Sequence, residues 1–424
     1  MSALARHLPG ASLACLAACI APTVGAAGFI DESKATLQLR NIYFNDDFKD
    51  ESGMSARAAA SAQSKREEWA QGFLLDAQSG YTEGPVGFGL DALGLLGVKL
   101  DSGRGRAGTN LLPVHDDGRA ADDFSNLGLT AKARFADTTF KHGTHQPKLP
   151  VLVRNDARLL PQTFEGTQVT STDIVGLSLT GGYFDEFRAR DSSGNHSITA
   201  DGYAGDDGEG FWFAGADYKA RKTLTLSYYY GELEEFYQQH YVGLVHSLAL
   251  GAGTLLTDLR YFHSQDAGEA RNGELDNDMY SGLLTYTLKG HAVSAGYQQL
   301  NGEGGLPFVN GATVYSFSNA GVGKFVEEDE RTWMLGYAYD FAAIGVPGLT
   351  AGVRYFKGQD GTTELRGSEV NAHEWERDID LAYVVQQGAL KGLGVKLRNI
   401  AYRSSYSRGR DNNRLYFTYD IALW

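Results

Sequence analysis

Eight basic residues share one local setting. Arg40, Lys132, Arg134, Arg260, Arg354, Lys396, Arg398 and Arg414 each adjoin an apolar residue, within stretches where apolar and polar residues alternate. In "VKLRN" (395–399), alternation puts Lys396 and Arg398 on one side of a strand, about 7 Å apart along it. A guanidinium is a planar fork that grips a carboxylate through two parallel hydrogen bonds, and it keeps its charge at physiological pH. A row of such cations would pass an anion between weak sites without binding it tightly at any of them. Acids of the same parity stand nearby: Asp76, Asp91, Asp258, Asp340, Asp378, Asp380 and Asp420. From alternation alone, the row is either a functional track or a set of structural ion pairs.

Other motifs carry less chemistry. "HGTH" (His142, His145) has near-metal spacing but no cysteine or acid beside it, and reads as two loop histidines. "GPVGFG" lacks the Lys-Ser/Thr and the helix that a phosphate loop needs. No Ser/His/Asp spacing marks a nucleophile. The sequence asks for no metal and no cofactor.

What would position the basic row is a set of strands. In "WMLGYAYDF" (333–341), Trp333, Leu335, Tyr337, Tyr339 and Phe341 alternate with Met334, Gly336, Ala338 and Asp340. "LYFTYDIAL" (415–423), "LGLTAKARF" (127–135) and "LSLTGGYF" (177–184) behave alike, and a period of two means strand. One apolar and one polar face suits either a β-sandwich or a transmembrane barrel. Three features favour the barrel. Aromatic residues often bound the apolar face, short turns alternate with long polar connections, and a secretory leader supplies the route. The pattern places about sixteen or seventeen strands. Large residues then face lipid, and the polar face lines a lumen. With the last strand beside the first, all the basic residues except Arg260 share about half of the wall.

"LPVLVRNDARLLPQTFEGTQV" (149–169) does not alternate, and prolines at 147, 150 and 161 suit no central strand. It is either an inward constriction or an outer loop. "RNIAYRSS" (398–405) loses its parity after Arg398, which suggests a bulge and leaves the direction of Arg403 open.

The leader is read over residues 1–27, followed by a single barrel domain over 28–424. Arg6 begins it, "ASLACLAACIAPTV" is its apolar stretch, and cleavage is expected near Ala27 rather than before Cys19. Both cysteines, Cys15 and Cys19, lie inside it, so the mature chain has no disulfide framework. The net charge of −14 argues against nucleic acid as a partner.

Several stretches together resemble the OprD-type specific porins of Gram-negative outer membranes. They are "GFLLDAQSGYTEGPVGFGLDALGLLGVKLDSG" (72–103), "NDARLLPQTFEG" (155–166), "DERTWMLGYAYDFAAIGVPGLTAGVRYFKG" (329–358), "EWERDIDLAYVVQQGALKGLGVKLRN" (374–399) and "RDNNRL" (410–415). The resemblance implies an all-β transmembrane antiparallel barrel of 18 strands, with short periplasmic turns, long extracellular loops and constriction loops folded inward. It implies passive, selective diffusion of small carboxylate-bearing solutes along an Arg/Lys track. Arg158, in the third long loop, joins that track by resemblance, beside Arg40, Lys132, Arg134, Arg354, Lys396, Arg398 and Arg414. It assigns 304–330 to a second constriction loop. Expected partners are outer-membrane lipid, lipopolysaccharide and small anionic or zwitterionic solutes, with the barrel a monomer or a weak trimer. A channel for neutral oligosaccharides, stacking on the many tyrosines, and an outer-membrane enzyme remain as alternatives.

Overall fold

The computed structural model describes residues 27–424, and the leader reading lies outside them. Eighteen antiparallel strands form one closed barrel. They are β1 (Lys34–Phe48), β2 (Lys65–Gln78), β3 (Val86–Ser102), β4 (Asp123–Phe135), β5 (Thr138–His145) and β6 (Thr163–Ser171). β7 (Leu177–Arg188), β8 (Phe211–Arg221), β9 (Leu224–Leu233), β10 (Tyr237–Leu250), β11 (Gly253–Asp266) and β12 (Asp276–Leu288) follow. β13 (His291–Glu303), β14 (Arg331–Asp340), β15 (Leu349–Leu365), β16 (Ser368–Val384), β17 (Gly394–Ser404) and β18 (Arg410–Ala422) complete it. β18 pairs with β1 from Thr36↔Ala422 to Phe48↔Arg410, so no edge is left open.

The strand missed most easily by pattern is β5, "TTFKHGTH", whose one large apolar residue is Phe140. It also corrects the histidine reading. His142 and His145 lie on a strand, three positions apart, and so point to opposite faces. Tight connections mark one rim: Lys289 (φ 49°) and Gly290 (φ 84°) join β12 to β13, both in the left-handed region that a two-residue hairpin turn requires.

The outer wall is apolar. Leu335 is 67% exposed and Leu127 69%, values that make sense only with hydrocarbon outside. The long loops at the other rim do something the alternation could not announce. They fold into the lumen and build a core there. Leu149, Val151 and Leu152 from the loop 146–162, Ile198 from 189–210, and Leu306, Val309 and Val314 from 304–330 pack on Phe164, Phe184, Phe211 and Phe262 of the walls. A smaller core joins Ile42, Phe44 and Leu95 of the wall to Leu111, Leu112, Leu159 and Leu160. Each fully buried side chain of this size contributes on the order of 1.5–3 kcal/mol. The membrane therefore replaces a core only on the outside.

The inner core explains the lost parity near Arg403. β17 keeps an unbroken register with β16 and β18, so it has no bulge. Ile400 and Tyr402 point inward and are apolar because a loop covers them, which leaves Arg403 outward.

Candidate functional site

The loop 146–162 crosses the lumen. Pro147 precedes a miniature hairpin, Lys148–Leu149 against Leu152–Val153, and Pro150 sits in its turn. The non-alternating stretch is thus inward-folded to Gln162, and its remainder, from Thr163, is barrel strand. The loop 304–330 meets it there. The Thr313 N–H donates to the Val153 carbonyl (2.8 Å), Asn155 to the Gly311 carbonyl (2.9 Å) and Gln162 to the Asn310 carbonyl (3.0 Å). On the far side, the Glu376 carboxylate accepts the backbone N–H groups of Gly321 (2.6 Å), Val322 (3.1 Å) and Gly323 (2.6 Å). One carboxylate on β16 thereby fixes the tip of the second loop against the wall.

Three guanidiniums gather where these loops approach β1 and β18. Arg158 comes from the first loop, Arg190 from the loop after β7, and Arg414 from β18. Arg158 Nε donates to the Thr109 carbonyl (2.9 Å). Arg414 donates to Asn412 Oδ1 (2.5 Å) and, across the gap, to the Gly321 carbonyl (2.7 Å). The Phe44 ring lies 4.4 Å from the Arg158 guanidinium and 4.6 Å from that of Arg414. Arg190 reaches Asn110 Oδ1 at 3.5 Å. Among the described residues, none of the three has a carboxylate in ion-pair range. The acids that act on the group from beyond that range are Asp191, which raises Arg190 and accepts from Asn110 (3.0 Å), and Asp46, which is held by Asn412 (2.8 Å) and Arg410 (3.8 Å). Burial, then the charges of Arg414 and Arg190, pushes Arg158 well below its usual range.

The other predicted cations sit in a different electrostatic setting. Arg40 on β1 pairs with Asp156 of the first loop (2.7 Å) and also donates to the Arg158 carbonyl (3.0 Å). Arg398 grips Asp380 through two 2.7 Å hydrogen bonds, and Lys396 lies 3.5 Å from the same carboxylate. Arg354 pairs with Asp378 (2.7 Å). Three cations thus face two acids on β15–β17. Small inward residues beside them, Gly336, Ala338, Gly352 and Ala382, leave a cavity of about 300 Å³ lined by Arg354 and Lys396. Lys132 on β4 pairs with Asp91 (2.5 Å), and Arg134 stands over the Tyr81 ring (4.3 Å). Both lie toward the rim of short turns, away from the loops. Arg260, on the opposite wall, is closed on Asp258 (2.6 Å). Asp420, an expected neutraliser, accepts instead from Gln38 (2.8 Å).

Sequence reasoning missed Arg190. It sits in "RARDSSG", a polar loop without periodicity, and only the folding-in of that loop brings it to Arg414.

Residues 27–423 match the family described as outer membrane porin, OprD family. The chain is 40% identical over 402 residues to the porin-like protein GalP of Pseudomonas putida, covering 94% of each. It superimposes on the crystal structure of Pseudomonas aeruginosa OccK9 (OpdG) with a TM-score of 0.88 at 42% identity, covering 93% of this chain and 100% of that one. Against Pseudomonas aeruginosa OpdK with vanillate the TM-score is 0.86 at 39% identity, with the same coverage.

Proposed function

The chain belongs to the OprD family of outer membrane porins, which are channels rather than enzymes, and on that premise we propose that it passes small carboxylate-bearing solutes by passive diffusion. The observation that carries the reading is the group Arg158, Arg190 and Arg414, gathered at the meeting of two inward loops without a carboxylate partner. A charged group with no internal counter-ion in a narrow passage favours an anionic solute. In this mechanism the solute's carboxylate meets Arg158 and Arg190 first. Arg414, already spending hydrogen bonds on Asn412 and Gly321, supplies field more than direct contact. Below, Lys396 is the freer of the two cations on Asp380, with 39% of its side chain exposed, and takes the carboxylate onward. The rest of the solute rests against the small residues of the neighbouring cavity. Arg40, Lys132, Arg134 and Arg354 shape the field through their pairs. The vanillate of the OpdK structure is a small carboxylate and agrees in class.

The oligosaccharide alternative gains little. Tyr228, Tyr280, Tyr337 and Tyr355 are exposed on the outer wall, and Tyr229, Tyr237 and Tyr241 are buried in the inner core. Single-channel recording with a panel of carboxylates and size-matched neutral sugars tests the proposal. Carboxylates should interrupt the current in discrete events while sugars do not. Equal interruption by sugars would contradict it.

A further inference from the structure

Some cations of the outer wall are neutralised: Lys65 and Arg106 share Glu67, and Arg331 pairs with Asp360. Arg188 stands singly without an acid in ion-pair range among the described residues, but one outward patch gathers several cations around aromatic rings. Lys357 on β15 stands opposite Trp375 on β16, which stands opposite Arg403 on β17. One step below, Tyr355 is opposite Arg377. All face outward, because their neighbours Phe356, Glu374, Glu376 and Tyr402 are buried inside. Arg403 pairs with Asp411 (2.9 Å), which also serves Lys49 (3.4 Å). Arg377 donates only to Asn399 (2.7 Å), and its Nε is buried without a partner. Among the described residues neither Lys357 nor Arg377 has a carboxylate in ion-pair range.

The height of the patch is specific. Trp375 lies nine positions above Val384 on β16, and Arg403 nine above Gly394 on β17. At ~3.3 Å per residue and a tilt of ~40°, that is about 23 Å, the upper boundary of an apolar band about 25 Å tall. The rings agree with an interface: Trp375 stacks on Tyr355 (centroids 6.0 Å apart), and the Arg403 guanidinium lies 5.8 Å from Trp375. Directly beneath runs an apolar column, Val353, Ile379 and Leu381, each at least 40% exposed.

We infer that this patch binds a phosphorylated glycolipid of the outer leaflet. Lys357, Arg377 and Arg403 would receive its phosphate, Trp375 a sugar face, and the column below its acyl chains. Unpaired cations at a lipid boundary call for an anion, and the adjoining apolar column makes that anion the head of an amphiphile. A second copy of the chain fits poorly, since a two-fold contact through this patch would set cation against cation.

The test uses the full-length barrel, stripped of lipid in detergent, with three probes: diphosphoryl lipid A, the same lipid with its phosphates removed, and inorganic phosphate. Native mass spectrometry reads retained lipid and oligomeric state. The parental protein should bind the diphosphoryl lipid at least tenfold more tightly than the dephosphorylated one. The Lys357→Gln/Arg377→Gln variant should lose that difference, and Lys357→Arg/Arg377→Lys should keep it. Conductance should stay unchanged in both, which separates this site from the channel proposal. Equal binding of the two lipids, or an unchanged preference in the Gln variant, overturns the inference. So does inorganic phosphate displacing the lipid at equal concentration, the mark of a free-anion site. A loss of oligomer with lipid binding intact would assign the face to a second copy instead.

Discussion

Two groups of lumen cations differ in what faces them. Arg158, Arg190 and Arg414 meet backbone carbonyls, asparagine and an aromatic ring. Arg354, Lys396 and Arg398 meet Asp378 and Asp380. The second group looks richer in the sequence, because its members lie on regular strands. A cation whose fork is already filled offers a solute little, and what attracts an anion is charge left uncompensated. The acids assign the roles as much as the bases do.

Removing the unpaired group should have the largest effect. Arg158→Ala with Arg190→Ala should lower carboxylate flux by roughly tenfold or more, since each charge-assisted hydrogen bond is worth about 1.5–3 kcal/mol. Uptake into proteoliposomes measures it, and flux within a factor of two of the parent would contradict it. Removing an acid from the paired group should act in the opposite direction. Asp380→Asn releases Arg398 and Lys396 and should raise carboxylate affinity by about two- to fivefold, judged from single-channel dwell times, with the gain shrinking as salt screens the charges. An unchanged dwell time would mean that the lower cations do not meet the solute.

How much of this was legible beforehand depends on which periodicity carried the signal. The outward parity of Leu335, Leu415 and Phe417 is set by lipid and reads directly from the chain. Lys396, Arg398 and Arg414 share strands with such residues, so their inward direction reads with them. Arg190 had no strand to place it, and Ile400 and Tyr402 misled because a loop, not water, covers them. Loop packing joins residues as far apart as Asn155 and Gly311, and no local pattern encodes it.

Two smaller effects come from moving the loop 304–330, whose tip meets Arg414. Glu376→Gln weakens three backbone contacts at the tip of 304–330 and should cost about 1–3 kcal/mol locally. Its readouts are higher open-channel noise and faster proteolysis after Lys324; a parental cleavage rate would sink it. The smallest effect is pH dependence. Burial, then the facing charges of Glu374 and Glu327, holds the Glu330 carboxyl well above its ordinary value of 4.5, and burial raises Glu327 likewise. A raised carboxyl favours the folded loop when protonated. Loop anchorage is therefore complete below about 4.5 and declines as pH rises through the raised native value. Current noise should grow with pH in the parent and grow less steeply in Glu330→Gln, which keeps Glu327; equal slopes in both would exclude Glu330 as the cause.

On the proposed function, anion preference resides in the unpaired arginines rather than in the paired row. Reversal potential under a salt gradient in planar bilayers tests it most directly, with the Arg158→Ala/Arg190→Ala and Lys396→Ala/Arg398→Ala variants side by side. The account predicts that the first loses most of the parental anion preference and the second keeps most of it. The opposite order, or equal losses, would contradict it.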